Sequence, residues 1–154
     1  MRKTLSACCA SLALLTGCAS VEVADYRVER PVLDLRQYFN GDLNAWGMFQ
    51  DRSGKVVKRF HVAMKASWQG EVGTLDEDFT YSDGTKQKRV WTLTRQPDGN
   101  YIGRADDVVG EARGEVAGYA LRWRYVLALP VDGKVYHVNF DDWIFLIDDK
   151  VMLN

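Results

Sequence analysis

Histidine is nearly absent: His61 and His137 are the only two in 154 residues. They lie far apart, neither has a cysteine nearby, and no zinc-ligand spacing is present. Cysteine is also scarce, at Cys8, Cys9 and Cys18. No serine occupies a Gly-x-Ser-x-Gly elbow, and no glycine-rich phosphate loop is found. The expectation is a protein with no catalysis, no cofactor and no metal. Charge of one sign is lacking too, with 20 Lys and Arg against 21 Asp and Glu. A nucleic-acid partner, which needs a concentrated basic field, is not expected. No apolar run reaches the roughly 20 residues of a membrane-spanning helix.

The amino end carries the most specific pattern. Arg2 and Lys3 give a positive start, and Leu5 to Leu15 is apolar apart from Ser6 and Ser11. Leu15-Thr16-Gly17-Cys18 follows. This order reads as a secretory signal peptide, and the last four residues resemble a bacterial lipobox. Small residues at 16 and 17 suit a peptidase cleft, and Cys18 supplies the thiol for lipidation. Cys8 and Cys9 leave with the signal, so Cys18 becomes the only mature cysteine. Lipidation removes an otherwise unpaired thiol from an oxidising compartment. In the Gram-negative pathway that the motif resembles, Ala19 in place of Asp directs the protein to the outer membrane. The expected organisation is a signal peptide over 1–17, a short lipidated tether over 18–32, and one domain over 33–154. The expected location is the periplasmic face of the outer membrane, with membrane lipid held through acylated Cys18. Losing Arg2 and Lys3 leaves 18 basic against 21 acidic residues.

The mature chain alternates. Asp34 to Asn40 suggests a helical turn, capped by Asp34 and ended by Gly41. From Leu43 onward the pattern is antiparallel β. In Lys55 to Trp68, Val56, Phe60, Val62, Met64, Ala66 and Trp68 share one face. In Tyr119 to Leu129, Leu121, Trp123, Tyr125 and Leu127 share one face, with Arg122 and Arg124 opposite. Short turns such as Ser82-Asp83-Gly84, Pro97-Asp98-Gly99 and Asp132-Gly133 leave no room for βαβ crossovers. Sequential strands therefore pair as a meander, and long exposed edges favour closure into an up-and-down barrel. A two-sheet sandwich is the alternative.

Four stretches carry a family resemblance: Asn40 to Gly54 (NGDLNAWGMFQDRSG), Tyr81 to Gly84, Asp106 to Ala112 (DDVVGEA) and Phe140 to Trp143. Together they resemble the proteobacterial lipoproteins designated domain of unknown function 3833, over Tyr38 to Asn154. The resemblance implies an all-β, antiparallel, lipocalin-like (calycin-like) barrel with a short N-terminal helical turn. It implies no activity. The family's genes often lie near those of enzymes that modify membrane fatty acids, which implies lipid handling. Members continue past the position of Asn154 with further strand, so the barrel is expected to be incomplete at its carboxyl end.

Two readings of the site residues follow. Trp46, Phe60, Met64, Trp68, Trp91, Trp123, Tyr125 and Trp143 either line a cavity for a fatty-acid-like ligand or fill a packed core. Arg122, Arg124 and Asp141 either meet a ligand headgroup or sit at the surface, and Arg104 is a weaker candidate of the same kind. Asp141 and Asp142 are consecutive strand residues, so at most one faces inward. Asp76, Glu77 and Asp78, like Asp106 and Asp107, read as solvated rim rather than calcium ligands. The expected function is binding or carriage of a hydrophobic, lipid-derived molecule. The alternative is a structural module contacting an envelope protein.

Overall fold

The computed structural model describes residues 20–154. The expected signal peptide and Cys18 lie outside the described residues. Nine strands follow in order: β1 (Gly41–Gln50), β2 (Val56–Gln69), β3 (Val72–Tyr81), β4 (Lys86–Arg95), β5 (Tyr101–Arg104), β6 (Ala112–Ala117), β7 (Ala120–Val131), β8 (Lys134–Leu146) and β9 (Met152–Leu153). Each pairs antiparallel with its sequence neighbours in one sheet of order β1 to β9. The expected meander is present, and the sandwich alternative is not. The sheet curls into a half-barrel. Its end strands, β1 and β9, are not hydrogen-bonded to one another, so the barrel is incomplete, as the family resemblance implied.

Curvature comes from glycines set opposite aromatic rings. Gly47 pairs with Phe60, Trp68 with Gly73, and Trp123 with Gly114. A Cβ added at any of these glycines would strike the facing ring. Trp123 also covers Gly103 on β5. Each ring lies flat over a strand that has no side chain there, so the concave face tightens without a void. The short β5 and β6 form the fold's back, and the longer hairpins turn toward one another across it. Leu75, Trp91, Leu93, Ala112, Leu121, Trp123 and Leu146 form the shared core, with Leu35 at its end.

A four-residue helix, α1 (Leu35–Tyr38), caps one end of the half-barrel. The Asp34 side chain accepts from the Arg36 amide, as a capping residue should. Leu35 is 1 % exposed. Trp68 Nε1 donates to Phe39 O at 2.8 Å, tying the helix end to β2. Tyr38 reaches Lys150 O at 3.3 Å, bridging the turn before β9. The segment expected to be a tether is ordered in part. A 3-10 turn, Val23–Tyr26, buries Val23. Tyr26 packs on Tyr119, Trp143 and Phe145 at 5.3, 6.2 and 5.7 Å.

Candidate functional site

The concave side of the half-barrel holds a cleft of about 210 Å³. Its apolar wall comes from α1 (Leu35), β3 (Leu75, Phe79), β4 (Trp91, Leu93) and β7 (Leu121, Trp123). Trp91 stands nearly perpendicular to Trp123 and to Tyr125, each at 5.6 Å between ring centroids. These are favourable edge-to-face contacts, and they hold three rings around one space. A wider depression of about 500 Å³ runs along Trp46, Phe60, His61 and Tyr81. It is shallow and open to solvent, whereas the concave cleft is walled by two facing hairpins.

Polar groups approach this apolar setting from five places. Glu77 on β3 sits opposite Arg89 on β4, and both line the cleft with Tyr125 and Asp142. The loop before β6 supplies Asp107. That loop is laid on β7: the Val109 amide donates to Val126 O and the Ala128 amide to Asp107 O. Arg89 then donates to Asp107 Oδ2 from Nε at 3.0 Å and Nη2 at 2.7 Å. Asp107 Oδ1 is buried with no hydrogen-bond partner among the described residues. Burial raises the Glu77 carboxyl to about 7; Arg89 opposes that shift and Asp107 adds to it. Burial also raises Asp142, against a lowering contact from the Tyr125 hydroxyl. Tyr125 is pushed well above the usual phenol range, again mainly by burial.

The residues singled out from sequence divide between the two faces of the sheet. Trp91, Trp123 and Tyr125 line the cleft. Trp68, Phe60 and Met64 share the concave face but not the cleft: Trp68 covers Gly73, Phe60 covers Gly47, and Met64 pairs with Leu43 and Glu77. Trp46 and Trp143 are corrections. Trp46 is 75 % exposed and packs on His61 on the convex side. Trp143 is in register with Arg122, also on the convex side, and lies against Tyr26 and Phe145. Strand parity sets this, because each lies an odd number of residues from its inward-facing neighbours.

Of the two readings for Arg122, Arg124 and Asp141, the structure follows the surface one. Arg122 grips Asp141 through two 2.7 Å bonds on the convex face and lies over the Trp143 ring at 5.2 Å. Arg124 pairs with Glu115, and Arg104 with Glu111. The inward aspartate is Asp142, not Asp141. Glu77 and Asp107 do not belong to a solvated rim. A parity signal for Glu77 was present, since it alternates with Leu75 and Phe79. Asp107 had no such signal, because a loop folding onto a distant strand leaves no local period.

Fold and site together define a β half-barrel with an aromatic-walled concave cleft, a fold compatible with a binding module. The family model described as "Protein of unknown function (DUF3833)" matches residues 12–154, and the chain belongs to that family. No curated protein and no solved structure matches the chain. Among the described residues no group of three or more His, Cys, Asp or Glu is arranged to hold a metal ion. No helix among them is long and apolar enough to cross a membrane.

Proposed function

We propose that this protein is an envelope lipoprotein, held at the outer membrane by lipid on Cys18, whose half-barrel binds a hydrophobic, lipid-derived ligand without catalysing a reaction. The observation that carries the binding role is the concave cleft, with three mutually packed rings and a few convergent polar groups. Small-molecule sites have this composition: mostly apolar walls and a few orienting polar side chains. The cleft is smaller than the about 300–1,000 Å³ of typical ligand pockets. It therefore takes a short apolar segment, with the rest of the ligand leaving through the unclosed side. The lipobox-like Leu15-Thr16-Gly17-Cys18 supports the anchor. Metabolic labelling with an alkyne palmitate tests it: label on the wild type and none on Cys18→Ala is expected, and equal labelling rejects the anchor. Binding is tested by titrating octanol while following tryptophan emission. A saturable change lost in Trp91→Ala is expected, and no change rejects the binding role.

A second reading rests on β1. This strand has a neighbour on one side only, and Trp46, Met48 and Phe49 on it are exposed. An edge of this kind can accept a strand from an envelope protein. Site-specific crosslinking from Trp46 in intact cells tests it. One reproducible protein adduct supports the interaction, and none removes it.

A further inference from the structure

We propose that the concave cleft selects short-chain amphiphiles bearing a cationic ammonium group and discriminates against alkyl carboxylates. This rests on the binding role proposed above and names the chemistry of the ligand's head. It departs from the fatty-acid-like ligand that the sequence suggested.

Two carboxylates, Glu77 and Asp142, line the polar side of the cleft with one guanidinium, Arg89, and a third, Asp107, is bonded to that guanidinium. Arg89 is already committed: both of its hydrogen bonds go to Asp107 Oδ2. Among the described residues, Glu77 and Asp142 have no basic partner at ion-pair distance. A carboxylate ligand would place a further negative charge among desolvated acids and find no free cation. The basic residues first considered for that role, Arg122 and Arg124, are bonded to Asp141 and Glu115 on the other face of the sheet.

The walls favour the opposite charge. Trp91, Trp123 and Tyr125 are held with their planes crossed at 77° and 86°. Ring faces attract cations, Trp most of all, and desolvated sites that hold alkylated ammonium groups combine several rings. The carboxyls of Glu77 and Asp142 lie beside these rings and supply the complementary charge. An ammonium ion needs no directed hydrogen-bond fork, so the absence of a preformed polar cradle does not disfavour it. Electrostatic complementarity of this kind sets specificity more than raw affinity. The carboxyl of Glu77, raised by burial to about 7, gives the selection a pH dependence. Arg89 from β4, Asp107 from the loop, Tyr125 from β7 and Asp142 from β8 face it. A bound cation favours its ionised form, so cation affinity rises as pH increases through 7.

The experiment compares three ligands sharing one chain, octyltrimethylammonium, octanol and octanoate, titrated into the purified protein below micellar concentration at pH 8. The order ammonium, alcohol, carboxylate is expected, with about tenfold between the first and last. Weaker ammonium binding at pH 6, with octanol unchanged, is expected as well. Glu77→Gln and Asp142→Asn should each narrow the gap between ammonium and octanoate, while the convex-face control Asp141→Asn leaves it intact. Octanoate binding as tightly as the ammonium ion to the wild type overturns the proposal, while the binding role stands. Failure of all three ligands, octanol included, removes the binding role and this inference with it. The wild-type comparison needs no variant to fold.

Discussion

At the scale of single residues, Glu77 carries the largest local cost. It is a carboxylic acid in the middle of β3, between Leu75 and Phe79 on the inward face. Its carboxyl goes from an ordinary 4.5 to about 7 because burial penalises the charged form. A raised acid binds its proton more tightly when folded than when unfolded. The folded state is therefore favoured most below pH 4.5, and that advantage is lost as pH rises to 7. The loss amounts to about 3 kcal/mol. Glu77→Gln should remove it, making the protein more stable than wild type at pH 8 by about that amount and no more stable at pH 4. Urea unfolding at the two pH values measures the difference, and an equal gain at both would contradict the assignment. A polar group that lowers stability in this way is expected where a ligand, rather than the fold, requires it. Arg122 and Asp141 illustrate the contrary case. Their bond is well formed but open to solvent screening, so Arg122→Ala should shift the urea midpoint only slightly.

At the scale of elements, the paired glycines and rings determine how tightly the sheet curls. Gly114 on β6 and Gly103 on β5 leave the floor on which Trp123 lies. A methyl group there has nowhere to go, since the indole is itself packed against Trp91. Gly114→Ala should destabilise by about 1–3 kcal/mol through overpacking. It should also tilt Trp123 into the cleft and weaken octanol binding. An exposed-turn control, Gly84→Ala, would lose stability through its positive φ of 83° without affecting ligand. Thermal melts paired with octanol titrations separate the two. The helix α1 depends on fewer contacts. Asp34 caps it and accepts a 3.3 Å bond from the Tyr101 hydroxyl. Asp34→Ala should cost about 1 kcal/mol and loosen the end of the cleft formed by Leu35, detectable as faster amide exchange over residues 35–39.

At the scale of the whole molecule, the open ring governs behaviour. Amide exchange should be slowest in β7, which has long neighbours on both sides, and fastest in β9 and along β1. Uniform protection across all nine strands would mean that the two ends are covered in solution. The open side also makes the cleft reachable without a lid, so ligand association should need no large conformational step.

Much of this fold was legible in the sequence. Inward and outward residues alternate with period two, and Gly-containing turns separate the strands, so strand order, pairing and the helical turn at Asp34 all followed from local chemistry. The placing of Trp123 and Tyr125 on the interior followed as well, because they alternate with Leu121 and Leu127 along one strand. Trp46 and Trp143 failed that test. Both are large and apolar, yet register places them outside, where each packs on one polar neighbour, His61 or Arg122.

The chain by itself therefore determined the meander, the core faces of β2 and β7, and the family. Those depend on turn chemistry and on the two-residue repeat, which act over a few neighbours. Only the tertiary structure decided that Asp107 reaches across to hold Arg89, and that Glu77 and Asp142 meet three rings in one cleft. Those facts depend on how far the sheet curls and where a loop lands on a distant strand. Contacts between residues dozens of positions apart leave no periodic trace in the sequence.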